Sequence, residues 1–251
     1  MAHAGIGDSV EGVHAVAAAL EAGRVLELFV DATREERVAE LLDEARSSGI
    51  TVTVVGDVRV MAHTTAPQGL VARCRPLETV SIDDLAALHS PASLLIVDHV
   101  EDPHNLGAIV RSAVAAGIPR IAVPTRRGAP LGAAAFKAAA GALERAAIAE
   151  ISSVADAVKR LGSAGVWSVG LDAGGETSLF GLELLSEPVA IVIGGETGLG
   201  RLVGERVDVV AAIPMAGPVE SLNASVAAAL ACFEVMRVRA VGASAAPLPA
   251  L

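Results

Sequence analysis

Aromatic side chains are scarce: Phe, Trp and Tyr make up 2% of the 251 residues, with one Trp and no Tyr. Alanine and valine must therefore fill the core. Cysteine is nearly absent too. Cys74 and Cys232 stand far apart with no CxxC pair, so no zinc site can be assembled from the sequence. They read as two reduced, small apolar side chains. Met1 to Gly23 lacks a basic segment followed by an apolar one, so no signal peptide is expected. A run of about 18 apolar, uncharged residues is also missing, so no membrane span is expected and the cytoplasm is the default. Positive charge is in deficit, with a formal net charge of −10. Such a chain is repelled on average from nucleic acid, and an RNA-binding reading needs a local basic patch. Neither GxGxxG nor GxxxxGK[ST] occurs, which removes the usual dinucleotide and P-loop readings.

What remains is ample apolar material. Hydrophobic residues reach 53% and charged ones 19%, enough for one large domain or two small ones with little disorder outside the termini. In the first ~75 residues helix and strand patterns alternate, as in a small α/β unit. "EGVHAVAAALEAG" has helical spacing, "RVLELFVD" alternates like a strand, and "REERVAELLDEARSSG" is an amphipathic helix. "ITVTVVG" is a β-branched strand, and "PQGLVARC" adds a last one. Residues 77–91, with "ETVSIDD" and "HSPAS", read as a flexible or helical linker between a domain over 1–76 and another over 92–242, with a tail at 243–251.

From Ser93 the alternation resumes. "SLLIVDHV", "RIAVP", "VWSVGLDA", "EPVAIVIGGE" and "VDVVAAIPM" are strands; "NLGAIVRSAVAAG", "GAAAFKAAAGALERA", "SVADAVKRLGSAG" and the closing run from Ala224 are helices. This order predicts a parallel sheet covered on both faces, with ligands outside the carboxyl ends of its strands. Four loops are then of interest. In "VEDPHNLGAIVR", Pro103 and Asn105 suit a turn and a cap, and Arg111 follows six residues later; a capped helix with a surface arginine is the plainer account. In "IVIGGETGLG", the glycines suit backbone that approaches a ligand or takes positive φ, and Glu196 is either a site residue or part of a solvated turn. In "IPMAGPVESLNASVAAAL", Ser221 suits a helix cap, whereas Asn223 is less well explained by capping. Arg126, Arg127 and Lys137 are local positive charges that either meet phosphate or sit on a solvated face.

Taken together, NxGxxxR, a strand ending in a GxE glycine loop, and IPM followed by SLN and an alanine-rich helix resemble the SpoU (TrmH-like) branch of the SPOUT RNA methyltransferases. The resemblance spans nearly the whole chain. "EGVHAVAAALEAG" is similar to the start of that family's N-terminal substrate-binding domain, and "FKAAAGALE" to its K-x-S-A-G-A segment.

The resemblance implies an α/β fold: a parallel-sheet SPOUT domain with a deep trefoil knot, preceded by a small α/β RNA-binding domain. It implies a homodimer without metal that transfers a methyl group from S-adenosylmethionine to a ribose 2′-oxygen. Carried over by motif, Asn105, Arg111, Glu196, Ser221 and Asn223 are the polar site residues. Backbone of Ile193, Gly194, Gly195, Ile213, Met215 and Leu222 would hold the cofactor, and Arg126, Arg127 and Lys137 would face RNA. The N-terminal domain favours large-subunit ribosomal RNA, with guanosine the preferred base. Alternatives are a non-catalytic RNA- or ribosome-binding member, the same chemistry on transfer RNA or at an antibiotic-resistance site, and an ordinary nucleotide-binding α/β enzyme. The chain departs from the family pattern at Leu199, where a glycine is usual, at Ala139, where a serine is usual, and in a Glu196-to-Ile213 spacing about one residue short.

Overall fold

The computed structural model describes residues 5–87 and 91–242; the tail at 243–251 and part of the linker lie outside the described residues. In chain order the first elements are β1 (Ser9–Glu11), α1 (Val13–Glu21), β2 (Val25–Asp31), α2 (Ala39–Ser47), β3 (Thr51–Val55) and β4 (Leu70–Cys74). Then come α3 (Ile82–Ala87), β5 (Ser93–Asp98), α4 (Pro103–Ala115), β6 (Arg120–Pro124), α5 (Ala133–Ala139), β7 (Ala147–Ile151) and α6 (Val154–Ser163). The chain continues through β8 (Trp167–Leu171), β9 (Thr177–Ser178), β10 (Val189–Gly194), α7 (Arg201–Gly204), β11 (Val209–Ala212) and α8 (Ala224–Gly242). These elements divide into two compact units. One comprises residues 1–78, 102–111 and 130–146, and the other 79–101, 112–129 and 147–251.

The first unit contains a four-stranded sheet in the order β1-β4-β2-β3, with β2 and β3 parallel and the other pairs antiparallel. Helix α1 forms because Ala15, Val16, Ala19 and Leu20 recur on one buried face. Gly12 (φ +88°) and Gly23 (φ +68°) bound it in conformations that side chains resist. The helix thus starts later than its sequence pattern predicts, and Glu11 lies on edge strand β1 instead. That strand is only three residues long, too short to show a period. The buried Glu11 carboxylate accepts from Thr64 N at 3.2 Å, from the Thr64 hydroxyl and from His63 N, so its charge fastens the loop before β4.

Residues 130–146 belong to this unit through buried contacts. The Arg24 guanidinium donates to both carboxylate oxygens of Glu144, at 2.7 and 2.6 Å, and its charge centre lies 5.7 Å from the Phe136 ring. Lys137 donates to the carbonyl of Ala66. The predicted helix through "GAAAFKAAAGALERA" is broken here. Ala140 (φ +48°) and Gly141 (φ +91°) stop α5, a 3₁₀ turn spans Ala142–Arg145, and strand β7 follows, unannounced by the sequence reading. A Cβ on Gly141 would lie 2.6 Å from Ala18 Cβ, so the break brings this turn against α1.

The second unit holds a seven-stranded sheet in the order β7-β6-β5-β10-β8-β11-β9, parallel throughout. Strands β5 (SLLIVD) and β10 (VAIVIG) are buried at every position, which is why they read as continuous apolar runs. Val154, Ala157, Val158 and Leu161 of α6 join Leu94, Ile96 and Val192 in the core of this unit. The register aligns the carboxyl ends: Gly194 pairs with Asp98, Ile193 with Leu171, and Pro124 with Ile151. Asp98, Asp172 and the glycine loop after β10 therefore emerge along one edge.

Candidate functional site at the carboxyl edge of the parallel sheet

Two cavities open on that edge. The larger set of expectations falls on the first, a cavity of about 480 Å³ over β8, β10 and β11, closed by the segment that leads into α8. Its wall includes Ile193, Gly194, Gly195, Ile213, Met215 and Leu222, together with Glu196, Ser221 and Asn223. Nine residues singled out from two separate motifs are thus brought to one cavity. It also carries Asp172 and Glu220, so three carboxylates line it and no lysine or arginine does among the described residues.

The glycine loop owes its composition to close backbone packing. A Cβ on Gly195 would lie 2.1 Å from the His99 carbonyl oxygen, and one on Gly194 would lie 2.3 Å from the Gly198 carbonyl carbon. Gly198 itself takes φ +77°. Leu199 packs away from the cavity: its Cδ1 would lie 2.6 Å from a Cβ on Gly170, and it rests on the apolar core beside Val207. The residue that departs from the family's glycine therefore anchors the loop from beneath.

The start of α8 corrects the expected cap. The Asn223 side-chain oxygen accepts from Ser225 N at 2.8 Å and from the Ser225 hydroxyl at 2.5 Å. Asn223, rather than Ser221, caps this helix, and it does so while lining the cavity. A similar shift occurs on α4. Asp102 Oδ1 accepts from His104 N at 2.9 Å and Pro103 opens the helix, so Asn105 lies within the first turn rather than in the loop. Asn105 and Arg111 both sit on α4, in the first unit, and are not among the residues lining the cavity. Gly107 lets α4 approach α5: a Cβ there would lie 2.4 Å from Ala135 O and 2.8 Å from the backbone nitrogen of Ala139.

Comparison with known proteins decides what this arrangement is. The sequence profile of the SpoU rRNA methylase family matches residues 92–233. The chain belongs to the SpoU rRNA methylase family. A second profile, RNA 2′-O ribose methyltransferase substrate binding, matches residues 9–80. This SpoU methylase is 39% identical over 241 residues to a protein of Mycobacterium ulcerans (strain Agy99) named an uncharacterized tRNA/rRNA methyltransferase, covering 92% of this chain and 77% of that one. It is 38% identical over 241 residues to the 23S rRNA (guanosine-2′-O-)-methyltransferase RlmB of Vibrio parahaemolyticus, covering 92% and 96%. Its fold matches the crystal structure of the SpoU methyltransferase AviRb from Streptomyces viridochromogenes in complex with AdoMet, with TM-score 0.76 and 27% identity over 93% and 91% of the two chains.

Sequence reasoning missed Asp172 of this SpoU methylase. Its Oδ1 accepts from Gly174 N at 2.9 Å and its Oδ2 faces the glycine loop. The available signal was an acidic residue at the carboxyl end of a parallel strand, repeated in "SLLIVD" and "VWSVGLD". The second cavity, of about 580 Å³, lies over β5, β6 and β7 and gathers Arg126, Arg127 and Arg201. Lys137 lies in the other unit. Burial pushes the thiols of Cys74 and Cys232 up to about 12, so both stay neutral and apolar.

Proposed function

We propose that this chain is an S-adenosylmethionine-dependent methyltransferase that modifies a ribose 2′-oxygen of 23S ribosomal RNA, at a guanosine. The observation that carries the reading is the carboxylate-lined cavity on the carboxyl edge of the parallel sheet, built from the residues that two of the three motifs assign to cofactor and substrate. Its volume suits a small-molecule cofactor. S-adenosylmethionine supplies a sulfonium methyl when bound. Asp172, Glu196 and Glu220 favour that cation over the sulfonium-free product, which helps the spent cofactor to leave.

Bound there, S-adenosylmethionine would supply an electrophilic methyl to the ribose oxygen, with the carbon–sulfur electron pair staying on sulfur. The hydroxyl proton must also leave. Arg111 is not its acceptor, because a guanidinium stays charged in proteins. We assign Arg111 to a bidentate clamp on the adjoining phosphate, which orients the ribose. Asn105, Glu196, Ser221 and Asn223 fix the oxygen in line with the methyl by hydrogen bonds, and positioning of this kind supplies much of the rate. Backbone of Ile193, Gly194, Gly195, Ile213, Met215 and Leu222 holds the donor. Arg126, Arg127 and Lys137 face RNA.

The same reading takes residues 1–76 as the RNA-binding domain and 92–242 as the knotted catalytic domain, acting in the cytoplasm as a homodimer. What supports the dimer is α8, whose Val226, Leu230, Phe233 and Met236 are 46, 37, 43 and 38% exposed, opposite a buried stripe of Ala228, Ala231, Cys232 and Val235. A helix apolar on both sides calls for a partner on the open one.

Mass mapping of ribosomal RNA from cells with and without the gene tests the whole reading, and an unchanged 23S pattern overturns the target. Calorimetry with S-adenosylmethionine tests the cavity; absence of binding at millimolar cofactor overturns the enzyme. Arg111→Ala is expected to lower methyl transfer at least ~100-fold, with cofactor affinity kept within about twofold. Strong residual turnover would remove Arg111 from the site.

A further inference from the structure

We infer that His99 is the group that takes the ribose proton during methyl transfer. The inference rests on the methyltransferase reading above and supplies the acceptor that Arg111 cannot be.

His99 follows β5 directly, and its Nδ1 lies 2.7 Å from Oδ1 of Asp98, a carboxylate whose side chain is 3% exposed. The carboxylate accepts, so Nδ1 carries the hydrogen and the lone pair sits on Nε2. The imidazole is thereby oriented as a base before any substrate arrives, as the histidine of a catalytic triad is. Its side chain is 37% exposed, so a proton taken up can pass on to water. The backbone of His99 stands at φ +55°, a left-handed conformation that glycine takes freely and that a side chain keeps at a cost. A side chain retained there calls for a use.

The two cavities of the sheet edge share one wall, the glycine loop after β10. Residues up to Gly198 line the first cavity, and Gly200 and Arg201 line the second. His99 meets this wall at both ends. A Cβ on Gly195, which lines the donor cavity, would lie 2.1 Å from the His99 carbonyl oxygen. A Cβ on Gly200 would lie 3.2 Å from Cε1 of the ring. Asp98 completes the link, because its Oδ2 accepts from Gly200 N at 2.8 Å while its Oδ1 holds the imidazole. One buried carboxylate thus fixes the base and the wall of the donor cavity in a common frame. A ribose at the rim between the cavities presents its hydroxyl oxygen to one and its proton to the other.

The other groups at this rim are poorer acceptors. In the second cavity the charged groups that face His99 are Asp98, Arg126 and Arg127 from the loop after β6, and Arg201 from α7; the start of α6 brings none among the described residues. Guanidiniums do not accept protons, and Asp98 has both oxygens engaged. The first cavity offers Asp172, Glu196 and Glu220. Carboxylates are far weaker bases than imidazole near neutral pH. Each of these three would also lose, on taking a proton, the charge that favours the sulfonium. In the step, the ribose O–H bond breaks with its proton passing to Nε2, the oxygen bonds the methyl carbon, and the carbon–sulfur pair stays on sulfur. Positive charge passes from sulfonium to imidazolium, and the sum is conserved.

The test compares the full chain with His99→Gly and His99→Asn, two residues that suit φ +55°. Transfer of labelled methyl to 23S ribosomal RNA from cells lacking the gene is followed in single turnovers from about pH 5 to about pH 9. The unaltered chain is expected to speed up with pH and then level off. His99→Gly should lose about 100-fold at neutral pH, lose that rise, and regain about tenfold when imidazole is added. His99→Asn keeps a donor for Asp98 but has no base, so it should be as slow as His99→Gly and gain nothing from imidazole. Both variants should bind S-adenosylmethionine within about twofold of the unaltered chain by calorimetry. Nitrogen NMR of the chain without cofactor gives a second readout: the neutral ring of His99 should carry its hydrogen on Nδ1. Full activity of His99→Asn, a pH rise kept by His99→Gly, or a neutral ring with its hydrogen on Nε2 overturns the inference and leaves the methyltransferase reading intact. An unaltered chain that moves no methyl to ribosomal RNA overturns that reading, and the base with it.

Discussion

The two cavities on the sheet edge differ in sign. Among the described residues, the wall over β8, β10 and β11 holds three carboxylates and no lysine or arginine, while that over β5, β6 and β7 holds three arginines around one internally satisfied carboxylate. Both form where parallel strands end, and one glycine loop separates them. A single sheet edge can thus present opposite charge side by side, because the strand order sorts the acidic loops to one half and the arginine loops to the other. Net charge gave no hint of this, since it averages over the whole surface.

The largest break in that contrast should come from the shared wall. Gly195→Ala places a Cβ 2.1 Å from the His99 carbonyl oxygen, so the loop must move. Affinity for S-adenosylmethionine should fall at least ~100-fold and RNA affinity should fall as well. Gly162→Ala, within α6 and facing open space, is the control: it should leave both affinities intact and raise stability by about 0.5–1 kcal/mol. Calorimetry, anisotropy and thermal melts read the set, and wild-type binding by Gly195→Ala would show that the two cavities do not share a rigid wall.

A smaller, one-sided effect is expected of Asp172→Asn. The amide keeps an oxygen for Gly174 N but removes the charge. S-adenosylmethionine should bind about tenfold more weakly, roughly 1.4 kcal/mol, while the sulfonium-free product and RNA bind nearly as before. If product affinity falls equally, the carboxylate acts through packing rather than charge.

The smallest effect concerns α8, which contributes to the acidic cavity and not to the basic one. The side-chain bond from Arg237 holds the Glu234 carboxyl below its usual range, helped by the amide of Gly181 at 2.7 Å. A carboxylate with a lowered folded pKa stabilises the fold above its ordinary value of 4.5, and that contribution is lost as pH falls through the folded value. The melting temperature of the wild type should exceed that of Glu234→Gln at pH 7, and the gap should close below about pH 4.5. A gap constant down to pH 3 would exclude the ion pair as its source.

Much of the sheet was legible in advance. Fully buried β5 and β10, and the 154/157/158/161 stripe of α6, announce themselves because burial on both faces leaves an apolar run and burial on one helical face leaves a period. Strand β1 is too short for a period, and β7 follows an alanine-rich run whose helical propensity hides the break at Ala140–Gly141. Caps were misplaced by two or three residues at both α4 and α8, since Asp102 and Ser221, Asn105 and Asn223 are all competent cap residues.

Sequence alone determined the family resemblance and the identity of the polar residues in each motif, because chemistry at a strand end tolerates few side chains. It also determined the alternation of elements, because apolar periodicity is written residue by residue. Tertiary structure decided which loops share a cavity, that Leu199 turns into the core, that Asp172 joins Glu196, and that three scattered arginines form one groove. Strand order and register set those neighbours through pairings between residues far apart in the chain, and no local pattern records such pairings.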